Sequence, residues 1–413
     1  VFRQLARTED VRAVLNVPVD DLLVAKTGLY QQTIHHKPLI AGHLMRRTPQ
    51  DPAVLALLDR VTTGIGDDLP VAVEDVPVLL AAAGVDRVVV HKLALPDSGD
   101  VTAWLRSALG PQEYRDARYE VFAVPRAETP PPDFTLALTN GEEGWSAPVT
   151  VGTFEGMFLG DSGAWYLYAA EEQYGELVFR TLPYNIPRRI GAWLDDHLVT
   201  AWWTSEGEKR LPLWIEPGFH TLRFEALDGC DPFPFTLTCL AGDCARVEPP
   251  ACISVAFGSP EWVASPTTPT PLDVRLDHGF RLRAYDLHVD EAARAVSLRL
   301  FWDAGGSLPG GYALFVHVAN PATGEPLAQY DGFPLIPVED WGQSWWVSEV
   351  RIELPGDLPA GDYAVNVGWS RPGTNQRFGV NGDRPWAGAG IVYLETVTIH
   401  LGTVTRARVD WSS

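Results

Sequence analysis

Hydrophobic positions recur with two different periods along this chain. Up to about Arg126, short apolar runs alternate with segments of helical spacing. Ala13 to Val19 is one such run, and Asp20-Asp21 then predicts the start of a helix with apolar positions Leu22, Ala25 and Leu29. Pro52 suits a first helical turn and predicts a helix through Leu58. A third helix, from Val76 to Ala83, stops at Gly84, and Arg87-Val88-Val89-Val90-His91 reads as a buried strand. Asp100 is a suitable N-cap for Val101 to Leu109, which Gly110-Pro111 terminates. Tyr119 to Val124 alternates as a strand does. The expectation is a small α/β domain over residues 1–128.

Thr129-Pro130-Pro131-Pro132 reads as a stiff, extended linker, and beyond it the helical period disappears. Leu177 to Phe179, Ile190 to Leu194, Leu198 to Trp203, Leu211 to Ile215 and Thr221 to Phe224 are of strand length. Asp195-Asp196 falls where a hairpin turn belongs, and Pro217-Gly218 precedes the next strand. Short strands at regular spacing predict a β-sandwich of the jelly-roll kind over residues 134–258. Ser265 to Pro271 is a second proline-rich linker. Phe280 to Leu282, Val296 to Trp302, Tyr312 to Val318, Val350 to Leu354 and Tyr363 to Trp369 then predict a second β-sandwich over residues 272–413. The predicted fold class is therefore multidomain, α/β followed by two all-β domains.

At 413 residues the chain is long enough for about three domains that each bury a core. No apolar run approaches the ~20 residues of a membrane helix. With 32 basic against 53 acidic side chains, a net charge of −21 repels phosphate backbones, which argues against a nucleic-acid partner. Cys230, Cys239, Cys244 and Cys252 crowd into one β-rich window, the pattern of two disulfides in an oxidising compartment. The expected pairing is Cys239 with Cys244 and Cys230 with Cys252. A four-thiolate zinc site is the weaker reading, because C-x2-C pairs are missing. No signal peptide precedes Val1, so either a leader has been removed or the chain is a piece of a longer one.

The stretch from Leu29 to Arg46 is denser in polar and aromatic residues than an amphipathic helix requires. Its Tyr30, Gln32, Thr33, His35, Lys37, Pro38, Gly42, Leu44 and Arg46 resemble a motif in the extracytoplasmic region of bacterial multi-pass membrane glycosyltransferases that use lipid-linked sugars. A second resemblance to the same family lies near the C-terminus. It is carried by Leu300-Phe301-Trp302, Phe315-Val316-His317, Gln329-Tyr330-Asp331 with Pro334, and Leu358 to Tyr363. In that family the catalytic carboxylate lies between membrane helices, so the resemblance implies an accessory region without sugar-transfer chemistry of its own. It also implies a membrane domain of the same polypeptide and a glycan or glycoprotein acceptor as partners.

The residues themselves name few chemical sites. His35, His36, His43 and His91 lack the spacing of a zinc motif, and Gln32, His35 and Arg46 read as residues that fix the loop after the first long helix. Nucleophile elbows and phosphate loops do not occur in the sequence. The acids around Asp195, Asp340 and Asp383 do not follow EF-hand spacing and leave open only a structural calcium of irregular type. Trp202-Trp203 and Trp345-Trp346 each place adjacent indoles on opposite faces of a strand, so one of each pair should be exposed and able to stack on a sugar. The sequence thus points to a non-catalytic, extracytoplasmic, glycan-binding or acceptor-presenting region. The alternatives are a cell-surface protein that self-associates into an array, and a secreted carbohydrate-active hydrolase.

Overall fold

The computed structural model describes residues 1–9, 11–19, 21–40, 51–63, 71–125, 136–141, 143–232, 252–265, 268–374, 376–381 and 390–399. Arg46, His43, Cys239, Cys244, Asp383, the Thr129–Pro132 linker and Pro266-Thr267 lie outside these residues. The fold is a small α/β part followed by β-sandwiches. Its contacts divide into two units, Val1–Ile190 with Trp203–Ala264, and Gly191–Trp202 with Ser265–Ser413. Among the described residues, no helix is long and apolar enough to cross a membrane.

In the first unit, Val14–Val17 pairs in parallel with Arg87–His91, and Tyr119–Ala123 and Tyr114–Arg115 extend the sheet antiparallel. Val88, Val89 and Val90 are fully buried, as a strand covered on both faces requires. Alternation sends Leu15, Val17, Val88, Val90 and Phe122 towards the helices Pro52–Thr63, Val76–Ala82 and Ser98–Leu109. Val14, Val89 and Val121 point the other way, into a smaller core with Leu5. Helix Ser98–Leu109 begins one turn earlier than its composition predicts. Asp97 is the N-cap and Asp100 sits in the first turn, while Gly110 ends the helix at φ 84°.

Helix Leu22–His35 corrects the sequence reading. Asp21 caps it as expected, accepting from the Leu23 and Val24 amides at 2.7 and 2.8 Å. The buried face, however, is Val24, Gly28, Gln31 and His35, whereas Leu22 and Leu23 are exposed. Apolar spacing misidentified the inner face because polar groups occupy it.

The same unit contains the first sandwich. Leu136–Asn140, Ser162–Ala169 and Gly218–Ala226 lie side by side in one sheet. The other sheet runs Gly207–Ile215, Gln173–Pro183, Val255–Phe257, Phe154–Leu159 and Val149–Val151, with Glu261–Ala264 also paired to Gln173–Pro183. Between them pack Trp145, Trp165, Phe179, Phe224 and Phe257, with Trp165 edge-on to Phe224 at 4.8 Å and Phe179 against Phe257 at 5.0 Å. Helix Pro52–Thr63 rests on Ser162–Ala169, so Tyr168 and Ala137 share a core with Leu57 and Val61.

The second unit pairs Thr270–Arg275, Phe280–Asp290, Ala295–Gly305 and Val347–Glu353 in one sheet. The hairpin segment Gly191–Trp202 belongs to this unit. Its Leu198 lies opposite Ser344 in a parallel bridge. Asp195 and Asp196 both have positive φ, 50° and 67°, the backbone that a two-residue hairpin loop needs. The other sheet is Pro326–Gly332, Ala313–Ala319, Gly361–Ser370 and Val392–Ile399 in spatial order. Phe280, Trp302, Trp341, Trp346 and Trp369 fill the space between the sheets.

Candidate functional site

Of the four tryptophans singled out by pairing, only Trp203 presents a ring that is more than half exposed, at 56%. Trp202 is half-buried. Trp346 is a correction to the sequence reading: it is 4% exposed, stacked on Trp341 at 4.5 Å, and its indole N–H donates to Ser348 Oγ. No ligand can reach that ring without opening the core. Trp345 is half-buried, and one face is taken by the His197 ring, which lies parallel to it at 3.9 Å. The Arg283 guanidinium also sits 5.9 Å from the Trp345 ring centre.

The surroundings of Trp203 are built by three connections at one end of the first sandwich. The strand Gln173–Pro183 leads into Asn185, which has φ 58°, then into exposed Ile186 and the pair Arg188-Arg189. The Thr204 amide donates to the Arg188 carbonyl and the Arg188 amide donates to the Thr204 hydroxyl, each at 2.8 Å. Arg188 is 6% exposed and pins the turn after Gly218–Ala226, donating to the Asp228 and Gly229 carbonyls and pairing with Asp231 at 2.9 Å. Asn185 donates to the same Asp231 carboxylate. These bonds hold Asp231 below the usual carboxylate range, through Asn185 first and Arg188 second.

Arg189 completes the arrangement. Its Nε and Nη2 converge on Asp228 Oδ1 at 3.0 and 2.6 Å, and its backbone N–H donates to Oδ2 at 2.8 Å. This fork lowers the Asp228 carboxyl and raises the guanidinium, in each case chiefly through the side-chain hydrogen bond. The guanidinium lies 5.9 Å from the centre of the Trp203 ring. The result is a flat apolar surface with a fixed cation and a fixed carboxylate beside it. Such a surface can stack on the C–H face of a sugar while the polar groups meet its hydroxyls. Arg188, Arg189 and Asp228 were not identified from sequence. The signal available was a basic pair at a strand start and an Asp-Gly turn, neither of which reveals that the two meet.

Cys230 and Cys252 are joined by a disulfide, Cα to Cα 5.5 Å, which ties this turn to the strand Cys252–Ile253. Asp161 lies against the bridge. With both sulfurs bonded to each other, the trio lacks the thiolates a metal site would use.

The motif around the first long helix is split between structure and surface. Gln32 Nε2 donates to the Lys37 carbonyl at 3.1 Å, and the Lys37 amide donates to His35 Nδ1 at 3.0 Å, closing the turn in which His36 takes φ 57°. Burial is the first cause lowering the His35 pKa. Behind this turn lies a polar cluster: His91 Nε2 is 2.9 Å from Asn16 Oδ1, and Gln31 donates to the Tyr119 hydroxyl at 3.2 Å. Asn16, Gln31, His35 and His91 are each at least nine-tenths buried. Burial drives the His91 pKa down to about 4, with Asp21 opposing weakly. The cluster is a polar core with no face open to a ligand.

No family model and no curated protein matches the chain. Among solved structures it is similar to a Podospora anserina GH26-CBM35 β-(1,4)-mannanase, at 12% identity over 35% of this chain and 31% of that one, with a TM-score of 0.20. It is also similar to an FMN-binding β-glucuronidase from Facaelibacterium prausnitzii L2-6, at 10% identity over 64% and 39%, TM-score 0.18. A third is a putative β-galactosidase from Bacteroides fragilis, at 11% identity over 58% and 39%, TM-score 0.16. The chain spans 31% to 39% of the length of these three proteins, and likeness at this level assigns no activity or substrate.

Proposed function

We propose that this chain is a non-catalytic, extracytoplasmic glycan-binding region that holds or presents an acceptor for a membrane glycosyltransferase-like protein. The observation that carries the glycan reading is the exposed Trp203 ring backed by the Arg189–Asp228 fork. An oxidised Cys230–Cys252 bridge supports an oxidising compartment. The membrane setting rests on the resemblance carried by Gln32, His35, Lys37 and Arg46 and by the C-terminal motifs.

One stacking ring gives weak binding, of the order of 1 mM. The test is titration with mannobiose, cellobiose and lactose, following the difference in emission between the native chain and Trp203→Ala. A saturable change with at least one disaccharide that Trp203→Ala abolishes supports the reading. Identical responses of the two proteins, or none in either, would refute it.

A further inference from the structure

The C-terminal four-stranded sheet carries a polar row that the hydrophobic core does not use. Gln329 lies opposite His317, His317 opposite Asn366, and Asn366 opposite Tyr393. Directly opposed residues of antiparallel strands share a face, with Cβ atoms about 5 Å apart, so these four side chains form one line across four strands. Their strand neighbours Val316, Val318, Val365, Val367, Val392 and Leu394 enter the core, which places the row on the opposite, outer face. On one side the next register brings Phe315 opposite Asp331, and on the other Ala319 opposite Ala364. Two motif stretches separated in sequence, Phe315 to His317 and Gln329 to Asp331, thus deliver their outward residues to one patch.

The row sinks towards its middle. Gln329 and Asp331 are exposed, His317 and Tyr393 half-buried, and Asn366 only 2% exposed. Among the described residues, Asn366 Oδ1 accepts no hydrogen bond. A buried acceptor without a donor is costly, and Asn366 Oδ1 is one such group at the middle of this face. Burial is the first cause holding the His317 pKa below its ordinary value, opposed by the Asp331 charge and reinforced by Arg377, so the neutral ring offers one donor and one acceptor. Phe315 is 1% exposed with the Arg377 guanidinium 4.9 Å from its ring, so stacking is not available. A ligand for this face must supply hydroxyl donors to Asp331 and His317, accept from Gln329, and displace the side chains over Asn366 to donate to its Oδ1. The Asp331 charge disfavours an anion.

We propose that Gln329, His317, Asn366 and Asp331 form a second glycan-binding strip, which grips the hydroxyls of a neutral sugar by hydrogen bonds alone. The choice of a glycan as ligand rests on the reading given to Trp203, but the site and its chemistry are separate.

The test uses the full chain and the imidazole resonances of His317, assigned with His317→Gln, during titration with mannobiose, cellobiose and lactose. At least one disaccharide should shift the His317 signals saturably, equally in the native chain and in Trp203→Ala. Gln329→Ala and Asp331→Ala change exposed side chains, so they should keep the native circular dichroism while weakening the response fivefold or more. A Trp203 emission response without any His317 shift overturns the strip and leaves the platform standing. A His317 shift that disappears in Trp203→Ala, or that survives unchanged in both Gln329→Ala and Asp331→Ala, also overturns the strip. A His317 response with no Trp203 response supports the strip while refuting the platform.

Discussion

Arg189 approaches Asp228 with its side chain and its backbone amide together, at 2.6 and 2.8 Å, so one carboxylate fixes both the strand start and the guanidinium beside Trp203. A fork with this geometry limits the rotamers of a long cation. Orientation, more than net charge, is what the pair contributes to the exposed indole.

Asp228→Ala is therefore expected to separate stability from binding. The ion pair is partly solvated, and its loss should lower unfolding free energy by about 1 kcal/mol or less. Releasing the cation from its place near the ring removes on the order of 1 kcal/mol of the recognition surface, which is about a fivefold loss in disaccharide affinity. Denaturant unfolding alongside the fluorescence titration measures both. A large loss of stability with unchanged affinity would assign Asp228 a purely structural role.

The two tryptophan pairs lead to opposite expectations for substitutions that look alike on paper. Trp346→Ala removes a ring buried against Trp341 and should destabilise the chain by about 3 to 5 kcal/mol. Trp203→Ala removes a ring that is mostly in solvent and should cost less than about 1 kcal/mol. Denaturant midpoints of the two variants give the comparison, and similar losses would contradict the assigned exposures.

The sandwich pattern was legible because strands with one solvated face alternate, as Val347–Glu353 does from Ser348 onward, and because Asp195-Asp196 and Gly84 mark turns by backbone requirement. The inner face of helix Leu22–His35 was not, since Gln31 and His35 turn inward to meet Tyr119 and the Lys37 amide, groups brought near by a sheet the local sequence does not describe. Gly28 belongs to the same closeness: a Cβ there would lie 2.6 Å from the Asn16 amide nitrogen. Pairing of adjacent tryptophans announced an exposed ring, but which of the four it would be depended on packing partners such as Trp341 and His197. Arg189 and Asp228 are 39 residues apart, and nothing local signals their fork. The cross-strand row through His317 likewise needs the register, although its two motif stretches were visible.

The buried His91 gives the chain a defined acid response. In the folded protein its ring is neutral and held against Asn16 Oδ1, with a pKa near 4, whereas an unfolded histidine titrates near 6.5. Between these values the unfolded chain binds more protons than the folded one, so stability rises with pH across that window. The contribution is fully present above about pH 6.5 and is lost as pH falls towards 4. A shift of this size corresponds to roughly 3 kcal/mol. Denaturant unfolding of the native chain and of His91→Gln from pH 7 down to pH 4 reads the term directly. His91→Gln keeps a donor for Asn16 and cannot protonate, so it should be less stable than the native chain at pH 7, with the gap closing or reversing as pH falls. Parallel stability profiles for the two proteins would show that His91 is not the buried base described here.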